Sequence, residues 1–302
     1  AIAFNNLGLT LQELGQLEAA VKSYEKALII KPDFADACNN LGITLKNLGQ
    51  LDEAVTCYEK SLAIKPDYAE AHNNLGNVFM DLDHIDSAVK CFESAIEIKP
   101  NYAEAHNNLG NALTSLDQLD VAKKCYDRAV TLKPDYAEAH NNLGNALINL
   151  GQLDASIRSF EKALSIKPDF AQAYQNYGNA LYHFKRFDEA LVSYGNAIDL
   201  KPDLNFLFGN LLHTKMRLGI WDDLPNRLNE LTKKINNNEK VIPPFHLLGL
   251  IDDPKIQRKT AEIFTNPKNH DLPRIGLYPK HKKIRIGYFS ADFWNHPVSA
   301  LT

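Results

Sequence analysis

The chain has 302 residues, with 33 Lys and Arg against 37 Asp and Glu and a hydrophobic share of 45%. That balance is ordinary for a globular chain with room for two domains. No apolar run approaches the ~20 residues needed to cross a bilayer, and no charged-then-apolar leader opens the chain, so a cytoplasmic setting without a membrane partner is expected. The charge is uneven: residues 205–302 carry 15 basic and 9 acidic side chains, leaving 18 basic and 28 acidic in residues 1–204. An acidic array is a poor fit to phosphate backbones, so nucleic acid is not expected as a partner.

The first elements come as repeats. Lys-Pro-Asp or Lys-Pro-Asn recurs at 31, 65, 99, 133, 167 and 201, always 34 residues apart. Leu-Gly recurs at 7, 41, 75, 109 and 143, then becomes Tyr177-Gly178 and Leu211-Leu212. The chain opens AIAFNNLG, without Met and already inside the pattern, so the natural N-terminus is expected upstream. Positions 4, 7, 8, 11 and 14 of a repeat share one face of a helix. Small residues at position 8 (Gly8, Gly42, Gly76) and position 20 (Ala20, Ala54, Ala88) let two helices approach. The aromatic at position 24 (Tyr24, Tyr58, Phe92, Tyr126, Phe160, Tyr194) fills the space between them. Pro at position 32 ends the second helix. One such hairpin cannot bury its apolar side alone, so neighbours must stack on it.

Six blocks of this kind span 1–204, and their pattern of Leu-Gly, Ala, aromatic, Ala and Pro resembles the tetratricopeptide repeat. The resemblance implies an all-α, right-handed superhelical solenoid with a concave groove. Residues 205–238 read as a degenerate seventh repeat or cap, because Trp221 and Pro225 break the pattern.

Asparagine stands at position 6 seven times in succession: Asn6, Asn40, Asn74, Asn108, Asn142, Asn176 and Asn210. It is a mediocre helix former. Either it bridges adjacent helices or survives from duplication, or it forms a ladder for extended polypeptide. A carboxamide has donors and acceptors enough to bond a peptide unit, and rungs ~10 Å apart match about three extended residues. Position 9 adds Asn77, Asn111, Asn145 and Asn179 to the candidate peptide-binding set. A third column (Asn5, Asn39, Asn73, Asn107, Asn141) lies nearer the inter-repeat side and reads as structural. The four cysteines, Cys38, Cys57, Cys91 and Cys125, are expected to be reduced core residues. They form no metal-ligand cluster, and no metal or other cofactor is expected.

The transitional segment 239–282 brings a Pro-Pro turn and a helix near 254–265, with Asp253 as cap and Pro254 in the first turn. The helix should stop by Asn266-Pro267, before a loop with Pro273 and Pro279. Ile284, Ile286, Tyr288 and Phe289 then predict a β-strand, the first of an α/β domain beginning near 283.

These repeats, followed by WDD, PFHLLGLIDDPKIQ and IRIGYFSADFWNHP, resemble the O-linked N-acetylglucosamine transferase family and its Spindly-type O-fucosyltransferase relatives. The resemblance covers the whole chain, is most specific over 220–302, and points to a bacterial member cut just inside its catalytic domain. It implies a metal-independent, inverting nucleotide-sugar transferase of two Rossmann-like domains acting on Ser and Thr of proteins. It maps the family's active-site histidine onto His296, as general base or substrate-positioning group; Asp292 would shape the loop. Animal enzymes carry a second histidine where this chain has Ala300, which leaves N-acetylglucosamine from UDP and fucose from GDP both open as donors. A fragment of this extent is expected to be inactive alone. The competing expectation is a non-catalytic scaffold that assembles partner proteins.

Overall fold

The computed structural model describes residues 1–265. All regular structure there is helical: no strand occurs among the described residues. The expected strand at 284–289, the loop with Pro273 and Pro279, and His296 lie outside them.

Six hairpins come first: α1 (Ile2–Glu13) with α2 (Leu17–Ile30), α3 (Ala35–Asn47) with α4 (Leu51–Ile64), and α5 (Ala69–Asp81) with α6 (Ile85–Ile98). Then come α7 (Ala103–Ser115) with α8 (Leu119–Leu132), α9 (Ala137–Asn149) with α10 (Leu153–Ile166), and α11 (Ala171–His183) with α12 (Phe187–Leu200). Each second helix packs on the first helix of the next pair, giving a superhelical solenoid.

Helix boundaries follow local chemistry. The lysine before each Pro takes extended backbone (φ −137°, ψ 90° at Lys31), as the proline ring demands of its predecessor. The ammonium of that lysine then lies over the next aromatic ring, 4.4 Å from the Tyr68 centroid for Lys65 and 4.6 Å from Tyr102 for Lys99. It also reaches back to the first helix of its own repeat: Lys99 pairs with Glu70 at 2.9 Å, Lys133 with Glu104 at 2.9 Å and Lys167 with Glu138 at 3.0 Å. The Lys99 ammonium holds the Glu70 carboxyl below the ordinary glutamate range. These pairs are half-exposed, so each contributes at most about 1 kcal/mol.

The core of each hairpin is one joint. A Cβ added at Gly8, Gly42, Gly76, Gly110, Gly144 or Gly178 would sit 2.5 to 2.8 Å from the ring of Tyr24, Tyr58, Phe92, Tyr126, Phe160 or Tyr194 respectively. Position 8 is therefore glycine because the position-24 ring lies against the backbone there. All six rings are at most 2% exposed.

The chain after Asn205 is built differently. Helices α13 (Leu207–Arg217) and α14 (Leu224–Asn236) touch far less than the helices of a repeat. The returning chain enters between them. Val241 and Ile242 pack with Phe208, Leu212, Leu231 and Ile235, and the Gly209 amide donates to the Val241 carbonyl at 2.9 Å. Two further helices, α15 (Pro244–Leu248) and α16 (Pro254–Phe264), close this cluster. The expected cap at Asp253 is present, its Oδ1 accepting from the Lys255 amide at 2.8 Å. Pro225, read as a pattern-breaker, sits in the first turn of α14, where its missing N–H costs nothing.

Candidate functional site

The position-6 asparagines lie on the first helix of each pair, half-buried from Asn40 onward. Their amides are not idle. Asn40 donates Nδ2 to Asn5 Oδ1 at 3.1 Å, Asn74 to Asn39 at 3.0 Å, and Asn108 to Asn73 at 3.0 Å. Asn142 donates to Asn107 at 3.0 Å and Asn176 to Asn141 at 2.9 Å. The two asparagine columns thus form one seam, in which position 6 of repeats two to six bonds position 5 of the repeat before. Within a repeat the position-5 amide returns a bond: Asn107 donates to Asn108 at 3.3 Å and Asn141 to Asn142 at 3.2 Å. The bonds run without a break from Asn176 through Asn141, Asn142, Asn107 and Asn108 to Asn73. Position 5 is buried, which is where an unsatisfied amide would be costly.

Helix bridging, one of the two readings left open by the sequence, is therefore present. It leaves capacity over. Each carboxamide offers two N–H groups and two oxygen lone pairs. Asn142 spends its donors on Asn107 and, at 3.1 Å, on Asn111 Oδ1. Its oxygen accepts from Asn141 and keeps one lone pair unspent.

The position-9 asparagines complete the face. Asn111 Oδ1 accepts from the Tyr126 hydroxyl at 2.8 Å, and Asn179 Oδ1 accepts from Tyr194 at 2.8 Å and from Asn210 Nδ2 at 3.1 Å. Their oxygens are held by protein, which leaves their Nδ2 groups as donors. Opposite Asn77 and Asn145 the position-24 ring is Phe92 or Phe160, which has no hydroxyl to give. The face therefore presents acceptors from position 6 beside donors from position 9, the pair of functions a peptide unit needs. Asn6 stands apart: it is exposed, and its carboxamide makes no hydrogen bond among the described residues.

The hydroxyls of Tyr126 and Tyr194 were not among the expected site residues. Their signal was the Tyr/Phe choice at position 24. The cysteines are free; burial pushes the Cys57, Cys91 and Cys125 thiols up to about 11, so they are inert at neutral pH. No cluster of metal-ligating side chains occurs among the described residues, and no described helix is long and apolar enough to cross a membrane.

Sequence profiles of the TPR repeat match residues 8–49, 44–83, 76–117 and 110–151, and tetratricopeptide-repeat profiles match 137–170 and 171–204. The chain is a tetratricopeptide-repeat protein. Among curated proteins, this repeat protein is 34% identical over 112 residues to the probable UDP-N-acetylglucosamine–peptide N-acetylglucosaminyltransferase SEC of Arabidopsis thaliana, a match covering 30% of the chain and 11% of the relative. Among solved structures, YrrB, a TPR protein with an unusual peptide-binding site, superposes with a TM-score of 0.52 at 27% identity, covering 65% of this chain and 99% of YrrB. PilF of Pseudomonas aeruginosa superposes with a TM-score of 0.60 at 20% identity, over 66% of this chain and 91% of PilF. That last likeness is one of fold.

Proposed function

We propose that the repeats hold extended polypeptide along the asparagine face, and that they serve as the substrate-binding arm of a protein O-glycosyltransferase. The observation that carries the reading is the row of carboxamides from Asn40 to Asn210, each donating to an asparagine of the preceding repeat and each leaving a donor or acceptor unspent. A pre-positioned amide costs little side-chain entropy when it binds. Such a row reads backbone, so it suits many clients. The transferase part rests on the motifs IRIGYFSADFWNHP and PFHLLGLIDDP and is supported by the similarity to the plant enzyme. In this reading UDP-N-acetylglucosamine is the donor, Ser and Thr hydroxyls are the acceptors, and His296 sits at the active site as base or positioning group. The same reading divides the chain into an array to 204, a cap to 238, a transition to 282 and the start of a catalytic domain at 283.

The test uses the product of the whole reading frame, incubated with UDP-N-acetylglucosamine or GDP-fucose and extract proteins, with peptide mass spectrometry as readout. Sugar added in a His296-dependent way supports the transferase and names its donor. A folded protein that binds peptides but transfers neither sugar would be the scaffold instead. The face itself is tested by Asn108→Ala, Asn142→Ala and Asn176→Ala together, which should weaken protein substrates more than short peptides.

A further inference from the structure

The asparagine face changes character at its C-terminal end. There a cleft of about 260 Å³ opens, lined by Asn179, Tyr182, His183, Tyr194, Asn210, His213 and His246. Position 9, asparagine in the four preceding repeats, becomes His213 in the seventh. Position 12 becomes Tyr182 and position 13 His183. The last member, His246, comes from α15, outside the repeat pattern altogether.

Two of the lining side chains are stacked imidazoles, His213 on His246, with centroids 4.4 Å apart and planes within 7°. Parallel rings point their nitrogen lone pairs in parallel planes, so the pair cannot converge on one metal ion. A relay orients it instead. Arg217 Nε donates to the Tyr182 hydroxyl oxygen at 3.3 Å, and Tyr182 lies 3.0 Å from His213 Nδ1. Arginine only donates, so the Tyr182 oxygen accepts from Arg217, and the same hydroxyl shares one hydrogen bond with His213 Nδ1, whose direction is set by the His213 tautomer. His246 Nδ1 is buried without a hydrogen-bond partner. Asn179, also in the lining, spends its oxygen on Tyr194 and Asn210 and keeps its N–H groups.

The titratable and charged groups around the cleft are Tyr182 and His183 from α11, Tyr194 from α12, His213 and Arg217 from α13, and His246 from α15. No carboxylate lines it. The repeats before it carry an acidic excess. A place where imidazoles, an arginine-tethered phenol and amide donors converge without a counter-charge fits an oxyanion.

We propose that this cleft is a side-chain subsite that takes an acidic residue, Asp or Glu, of a polypeptide lying along the asparagine face. The subsite rests on the peptide-binding reading above and adds selectivity to it. The face reads backbone over most of its length; the cleft reads one side chain at its end. A carboxylate entering would accept from His213 and Asn179 and leave the His246 ring a charge to pair with.

Burial, the neighbouring His246 and Arg217 hold His213 below the ordinary histidine range, and burial holds His246 below it too. Both rings are therefore neutral at pH 7.5 in the free protein. A bound carboxylate favours their protonated forms. Binding then takes up protons, and its affinity rises as pH falls from 7.5 towards 6.

The experiment uses the 302-residue chain. Neutral 15-residue peptides carry a single Glu or Gln scanned through every position, and anisotropy reports binding at pH 6.0 and 7.5. Glu should outbind Gln about tenfold in one register only, the size of a charge-assisted hydrogen bond, and the gap should widen at pH 6.0. His246→Gln should remove the gap and leave Gln peptides bound as before. Tyr182→Phe keeps the ring and both imidazoles, and should shrink the gap even where His246→Gln disturbs folding. Equal binding of Glu and Gln in every register and at both pH values, with Asn142→Ala still weakening both, would overturn the subsite and spare the peptide face. No binding of any peptide by the folded chain would overturn both.

Discussion

The six repeats and the segment after Asn205 solve one packing problem in two ways. In a repeat, the glycine of the first helix receives an aromatic ring from the second helix of the same hairpin, as Gly110 receives Tyr126. In the cap, Gly209 receives Ile242 and the Val241 carbonyl, from the chain that comes after the second helix. The repeat closes on itself; the cap is closed by the segment downstream of it. A repeat can therefore be copied, and the terminal unit cannot. The cap also brings His246 to the end of the asparagine face, which no element inside the 34-residue period could do.

The largest effect should come from breaking the repeat's joint in mid-array. Phe92 is fully buried between the third and fourth repeats. Phe92→Ala should cost about 4 kcal/mol, measured by denaturant unfolding. Because each repeat leans only on its neighbours, hydrogen exchange should rise over residues 69–136 first. Uniform protection loss across 1–264 would mean that the array unfolds as one unit.

Breaking the other joint should be smaller and local. Ile242→Ala removes the wedge between α13 and α14 and should cost about 3 kcal/mol, with the loss of protection confined to 205–264. If repeats one to five lose protection equally, the cap is part of the array's cooperative unit and the contrast fails.

The asparagine seam sharpens the comparison further. Asn142→Ala leaves buried Asn107 Oδ1 short of a donor and should cost about 1.5 kcal/mol. Asn6→Ala, at the same position but exposed and outside the seam bonds, should change stability by less than about 0.5 kcal/mol. Equal costs at the two sites would show that the seam bonds contribute nothing and that helix propensity alone is being measured.

The repeats were legible because their signals are local and periodic. Leu-Gly, the aromatic and Lys-Pro-Asp each fix something within one hairpin, and six copies average out the exceptions. The asparagine column was visible, but its partner was not. The bond from Asn142 to Asn107 spans 35 residues, one more than the period, so it joins two different columns and no spacing announces it. The cap was harder still. Nothing in VIPPFHLLGL says that Ile242 will replace a repeat's aromatic, or that the five residues from Pro244 will form a helix. His213 and His246 stand 33 residues apart, in two contexts that share no pattern. Sequence repetition reports what is copied, and this site's end is made where copying stops.

A small gain, the one change of opposite sign, tests the turn inside the hairpins, where the copies themselves disagree. The residue at position 15 adopts left-handed backbone to end the first helix. It is glycine at Gly15, Gly49 and Gly151, with φ of 73°, 78° and 70°. It is Asp83 and Asp117 in the third and fourth repeats and Lys185 in the sixth, with φ of 62°, 58° and 60°. Aspartate tolerates that region better than other residues with a Cβ, because its short carboxylate bonds locally. Lysine has no such compensation. Lys185 is exposed, so its side chain contributes little that a glycine would forfeit. Lys185→Gly should therefore stabilise the chain by about 0.5–1 kcal/mol, read as a rise in the denaturant midpoint at unchanged slope. Asp83→Gly should gain less. If Lys185→Gly loses stability instead, the flexibility that glycine adds to the unfolded chain outweighs the strain it relieves, and the lysine is the better residue for that turn.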